Sequence, residues 1–142
     1  MSSVPFHYVD LRAFCYVTED ESLVEDALRR VLPEAVDLDR VESEGHYGDP
    51  ILVLSVRVEE TAAIATVLDS LDDLPATERD RLSGELDERV TEDCSLFVSL
   101  DKQAACGGEI RLGDGIAMRA KVESYPANRE RAIDAVESAG VL

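Results

Sequence analysis

From His7 to Val17 the chain alternates. His7, Val9, Leu11, Ala13, Cys15 and Val17 fall on one side of an extended backbone, and Tyr8, Asp10, Arg12, Phe14 and Tyr16 on the other. Successive strand side chains point to opposite faces, so a period of two over so long a run predicts a strand with one face buried and one wet. A helix would scatter the same residues around its circumference. The pattern returns twice: Ile51 to Val58 sets Leu52, Leu54, Val56 and Val58 on one face, and Ile116 to Ser124 sets Ile116, Met118, Ala120 and Val122 against Arg119, Lys121 and Glu123. Strands of this kind belong to an antiparallel sheet covered on one side.

The intervening segments read as helices and turns. Thr18, with Glu21 three residues on, predicts a capping box. It stands before a helical stripe of Leu23, Val24, Ala27, Leu28, Val31 and Leu32 that Pro33 closes. Asp39 to His46 alternates weakly and predicts an edge strand, joined to Ile51–Val58 by the HYGDP turn, where Gly48 permits positive φ. Ile64, Val67, Leu68 and Leu71 lie at helical spacing until Asp72, Asp73 and Pro75 break the pattern. Thr77 to Val90 predicts a third helix, exposed on the rim, with Leu82, Leu86 and Val90 as a thin stripe. Cys94 to Leu100 predicts a strand with Leu96, Val98 and Leu100 inward; KQAACGG predicts a turn, and Glu109 to Leu112 a short strand. Asn128 caps a final helix on Ala132, Ile133 and Val136, released at Gly140. The order β-α-β-β-α-α-β-β-β-α predicts the α+β class. Residues 1–142 are expected to form a single domain, a mostly antiparallel sheet with helices packed on one face.

Charge narrows the function. The formal net charge is −17, with acids spread along the whole chain and arginine far outnumbering lysine. A dispersed acidic surface with little lysine suits a halophilic source, where a Debye length of roughly 3 Å removes long-range repulsion of anionic ligands. The two lysines, Lys102 and Lys121, both fall between Asp93 and Pro126. From Lys102 to Arg131 six basic residues face four acidic ones, whereas the remainder holds eight basic and 27 acidic residues. Surviving positive charge is thus concentrated near the C-terminal strands.

Stacking the alternations places Arg12, Tyr8, Tyr16, Arg57, Arg119 and Lys121 on the face away from the helices. Cations beside flat rings are what RNA recognition requires, the cations meeting phosphates and the rings unpaired bases. Lys102 and Gln103 stand at a Gly-rich turn, where backbone N–H groups could meet a phosphate with Lys102 as countercharge; pairing of Lys102 with a carboxylate is the alternative. His46 and Tyr47, before the hairpin turn, could stack on a base or plug the sheet end. Tyr125-Pro126 reads as packing.

Enzyme chemistry finds little purchase. Cys94 or Cys106 with His7 or His46 could make a thiol and base, but no neighbourhood marks an activated cysteine. Glu19-Asp20-Glu21 and Asp72-Asp73 sit at helix boundaries, where capping and solvation account for them better than a magnesium ion. Cys15, Cys94 and Cys106 lack zinc-ligand spacing, and no phosphate-binding glycine fingerprint is present. The expectation is therefore no enzyme, no metal and no cofactor. The start MSSVPFHYVD has neither a basic region nor an apolar run, and no stretch has the length of a membrane span. A cytoplasmic protein with no membrane partner is expected, and a homo-oligomer is compatible with the pattern.

Three stretches, HYVDLRAFCYVTED, EGHYGDPILVLSVRV and above all LDKQAACGGEIRL, resemble an archaeal family of small RNA-binding-domain proteins described as predicted exosome subunits. The resemblance spans nearly the full chain. It implies a curved antiparallel sheet like that of the 5S-rRNA-binding ribosomal protein. It also implies RNA binding, alongside RNA processing or degradation; joined to the absence of a catalytic motif, the expectation is a non-catalytic RNA-binding protein. The alternative is a module that docks protein components of an RNA-processing assembly without touching RNA. Cys106 departs from the family pattern, which leads one to expect an aromatic residue, typically Tyr, after the two alanines.

Overall fold

A computed structural model describes residues 5–33, 36–45 and 47–139. Its centre is the strand with the strongest alternation, β1 (Phe6–Cys15). Helix α1 (Glu21–Arg29) follows, then a hairpin of β2 (Asp39–Glu44) and β3 (Pro50–Val58). Next come α2 (Thr61–Asp69), a 3-10 turn (Ser70–Asp73), α3 (Ala76–Gly84) and α4 (Leu86–Arg89). The chain closes with β4 (Ser95–Asp101), α5 (Lys102–Cys106), β5 (Gly115–Val122) and α6 (Arg129–Ser138). The five strands form one sheet in the order β2-β3-β1-β5-β4, every pairing antiparallel. The expected α+β class, an open sheet with helices on one face, is what the chain forms.

Register carries the alternation across the sheet. Val9, Leu11 and Ala13 lie opposite Val58, Val56 and Leu54 on one side, and opposite Ala120, Met118 and Ile116 on the other. All nine are buried, in one cluster with Val24, Leu28, Ile64, Leu68, Ala132 and Val136 from the helices. Burying a large aliphatic side chain contributes about 1.5–3 kcal/mol, so this row pins the register: a slip of one residue would turn each of its members to water. The opposite face therefore carries Tyr8, Asp10, Arg12 and Phe14 from β1, with their cross-strand partners.

Several expectations need correction. A bulge between Phe6 and Tyr8 buries Phe6 and leaves His7 exposed, so His7 does not continue the core face. The first helix is capped by Asp20, which accepts from the Ser22 N–H at 2.9 Å, and not by a Thr18–Glu21 box. Leu23, placed in the apolar stripe, is exposed. The Thr77–Val90 helix breaks at Glu85 into α3 and α4, and its stripe of Leu82, Leu86 and Val90 is buried rather than on an exposed rim. Glu109–Leu112 forms no strand; Leu112 makes only an isolated bridge with Leu100. Gly140, the expected release of the last helix, lies outside the described residues.

The KQAAC turn is a short helix, for a local reason. Asp101 accepts from the Ala104 N–H at 3.0 Å, an N-cap. The GDG turn supplies the space it needs. A Cβ on Gly113 would lie 2.6 Å from Asp101 Cβ, and one on Gly115 (φ +115°) 2.4 Å from Lys102 Cβ. Only glycine lets these two backbones approach so closely.

Candidate nucleic-acid interface

The open face is built by β3, β1 and β5, the three central strands. Cross-strand neighbours on it are Arg57 with Asp10, Asp10 with Arg119, Tyr8 with Lys121, and Arg12 with Ser55 and Ala117. Five expected site residues, Tyr8, Arg12, Arg57, Arg119 and Lys121, thus share one surface. These three strands present four cations and one carboxylate there, a surplus of three positive charges in a chain of −17. The edge strands add Asp39 and Asp101 at the margins.

Asp10 organises the centre. Arg57 grips it through Nε to Oδ1 at 2.8 Å and Nη2 to Oδ2 at 3.0 Å, while Arg119 Nη2 reaches Oδ2 at 3.0 Å. A two-point guanidinium–carboxylate contact fixes orientation as well as charge. The Arg57 hydrogen bonds, more than Arg119, hold the Asp10 carboxyl below the usual carboxylate range against the opposing effect of burial. The Arg57 guanidinium also stacks 3.9 Å from the Tyr8 ring centre, with Arg119 at 5.9 Å. Two guanidinium groups are thereby held on the open face, each with N–H groups beyond those Asp10 uses.

The signs give a testable pH dependence. A carboxyl depressed in the folded state contributes stability that is present above its unfolded value and lost as pH falls through its folded one. The stability difference between the wild type and Asp10→Asn should be constant from neutral pH down to about 4 and then shrink. Denaturant melts of both proteins across that range measure it, and a difference that instead grew on acidification would contradict the arrangement.

Beside Asp10 lies a concavity of about 450 Å3, lined by Arg12, Arg57, Arg119, Ser55, Ala117 and Phe97 among others. Phe97, on β4 opposite Arg119, is 44% exposed. It is not among the expected site residues, although the inward set Leu96, Val98 and Leu100 implies its outward direction. Lys121 Nζ donates to the Asp93 carbonyl, whereas no carboxylate stands within ion-pair distance of Arg12 among the described residues.

Lys102 is elsewhere. Only 6% exposed, it donates through Nζ to the Phe14 carbonyl and to Glu19 Oε1, both at 2.7 Å, with the Tyr16 ring centre 5.0 Å away. The alternative considered for it, pairing with a carboxylate, is the one realised. Burial acts to raise the Glu19 carboxyl, but the hydrogen bonds from Lys102 and from the Tyr16 N–H prevail and hold it below its ordinary value. Gln103 is exposed, its Nε2 3.5 Å from Glu19 Oε2. The Lys102 N–H is already given to the Asp114 carbonyl and the Ala104 N–H to Asp101, so this junction does not present the phosphate cradle expected of a turn. Tyr16 is exposed and Tyr47 stands at the hairpin tip, while His46 lies outside the described residues. Cys106 faces α1, its Sγ 3.5 Å from the Leu23 carbonyl, so position 106 belongs to the helix layer and not to the open face. Among the described residues no cluster of His, Cys, Asp and Glu could hold a metal ion, and no helix is long and apolar enough to cross a membrane.

Fold and face together define a small α+β protein with an open, basic sheet surface on an acidic body. The chain belongs to the family described as RNA binding, whose family model matches residues 8–122. It is 32% identical to the RNA-binding protein PAB1135 of Pyrococcus abyssi, over 92% of this chain and 90% of that one. It is 33% identical to the uncharacterized protein MJ0213 of Methanocaldococcus jannaschii, over 88% and 91%. The solved structure of Mth689, a DUF54 protein from Methanothermobacter thermautotrophicus, superposes with a TM-score of 0.78 at 36% identity, covering 94% of this chain and 97% of that one.

Proposed function

We propose that this chain is a non-catalytic RNA-binding protein whose open sheet face meets the RNA backbone. The observation that carries the reading is the surplus of cations on the three central strands, set around Asp10, in a chain otherwise strongly acidic. Phosphate neutralisation supplies most of the affinity of such surfaces. Membership of the RNA-binding family supports the same ligand. The finer placement, accessory to archaeal RNA processing or degradation beside the exosome on a fold like that of the 5S-rRNA-binding ribosomal protein, rests on the resemblance in the sequence. We read the dispersed acids as an adaptation to concentrated salt in the cytoplasm.

A second reading has an observation behind it. Phe14, Val41 and Phe97 are exposed on the same side of the sheet, as a surface that docks a protein component of an RNA-processing assembly would require. Titration of RNA at several salt concentrations separates the two. Binding should weaken linearly on a log–log plot, and Lys121→Ala should reduce the slope by roughly 0.7 while weakening all sequences about equally. If the wild type binds no RNA at the lowest salt where it remains folded, the docking reading takes its place.

A further inference from the structure

We propose that this face selects single-stranded RNA, with an unpaired base stacked on Phe97; the inference rests on the RNA-binding reading and adds the strandedness of the ligand and the residue that senses it. Three aromatic rings, Tyr8, Phe14 and Phe97, come to this side from β1 and β4. Two of them carry a cation. Arg57 lies 3.9 Å from the Tyr8 ring centre and Arg12 5.3 Å from Phe14. Phe97 is the one ring of the three with no cation over it among the described residues, and it walls the concavity beside Arg119 and Asp10.

Chemistry then chooses the occupant. The volume of about 450 Å3 lies in the range of sites that enclose a small planar ligand. Three guanidinium groups line it against the carboxylates of Asp10 and Asp39, a surplus of one positive charge beside an aromatic plane, which suits a nucleotide with its base on the ring and its phosphates on the arginines. A duplex keeps its base faces inside its own stack and offers a sheet surface only backbone and groove edges. An unpaired nucleotide can instead lay its base on the Phe97 ring while Arg12, Arg57 and Arg119 meet the adjoining phosphates. Every base has such a face, so little sequence preference follows.

The experiment compares a short mixed-sequence RNA with the same RNA annealed to its complement, on the full chain, at matched salt. The single strand should bind more tightly. Phe97→Ala should weaken single-strand binding about five- to hundredfold and leave duplex binding unchanged. The chain contains no tryptophan, so Phe97→Trp installs one fluorophore at the proposed contact; its emission should be quenched by the single strand and not by the duplex. If the duplex binds as tightly and Phe97→Ala matches the wild type, the stacking site is excluded while RNA binding stands. Unquenched emission from Phe97→Trp at saturation with single strand would also exclude it. If neither RNA form binds, the RNA reading itself falls.

Discussion

Replacing Lys102 by alanine should destabilise the protein by about 3–5 kcal/mol, a fall in melting temperature of about 10–20 °C for a domain of this size. The ammonium is buried between the Phe14 carbonyl, the Glu19 carboxylate and the Tyr16 ring. Without it a largely buried carboxylate loses its countercharge and a strand carbonyl its donor. The position also explains why Gly115 must lack a Cβ and why Asp101 caps the following helix. A neutral pair tests the cause: Lys102→Met with Glu19→Gln should recover a substantial part of the loss, because most of the penalty in either single variant comes from the unpaired partner. Thermal and denaturant melts in matched salt measure all of these. A single-variant loss under about 1 kcal/mol would place the pair with ordinary surface salt bridges and refute its structural role. At temperatures where Lys102→Met stays folded, its RNA titration should keep the wild-type salt slope, since this ammonium does not reach the open face.

That result would overturn a reading natural from the sequence. In a chain with two lysines, one beside a Gly-rich stretch looks like a phosphate contact whose removal leaves stability nearly intact. Burial is the quantity that alternation cannot supply there, because Lys102 is the first residue after a strand and its direction depends on the helix that starts at Asp101. LDKQAACGGEIRL, the most specific piece of the family resemblance, is in this sense architecture: a cap, a buried ion pair and a helix facing α1. By contrast, the period of two made the open face legible. It assigned Tyr8, Arg12, Arg57, Arg119 and Lys121 to one side without any knowledge of strand order. It cannot reveal that Asp10 holds two of those arginines, since that contact joins three strands far apart in the chain. Phe97 was within reach of the same argument and needed only the outward residues of β4 to be named.

The second large effect concerns that arginine pair. Arg57→Ala combined with Arg119→Ala should reduce RNA affinity by about a hundredfold or more, since hydrogen bonds to charged groups contribute about 1.5–3 kcal/mol each. It should also lower the log–log salt slope by roughly 1.4, for two phosphate contacts on a single strand. Stability should change by no more than about 1 kcal/mol, because both ion pairs are partly solvated. The double variant leaves Asp10 as an unpaired negative charge facing the RNA, so part of its deficit is repulsion. Adding Asp10→Asn removes that part while the slope remains at the reduced value. The two measurements therefore answer different questions: the slope counts phosphate contacts, and the affinity recovered by Asp10→Asn reports the carboxylate. If the double variant keeps the wild-type slope, the RNA backbone does not run across Arg57 and Arg119. If the triple variant regains full affinity, the arginines serve only to neutralise Asp10, and the cations that touch RNA are Arg12 and Lys121 instead.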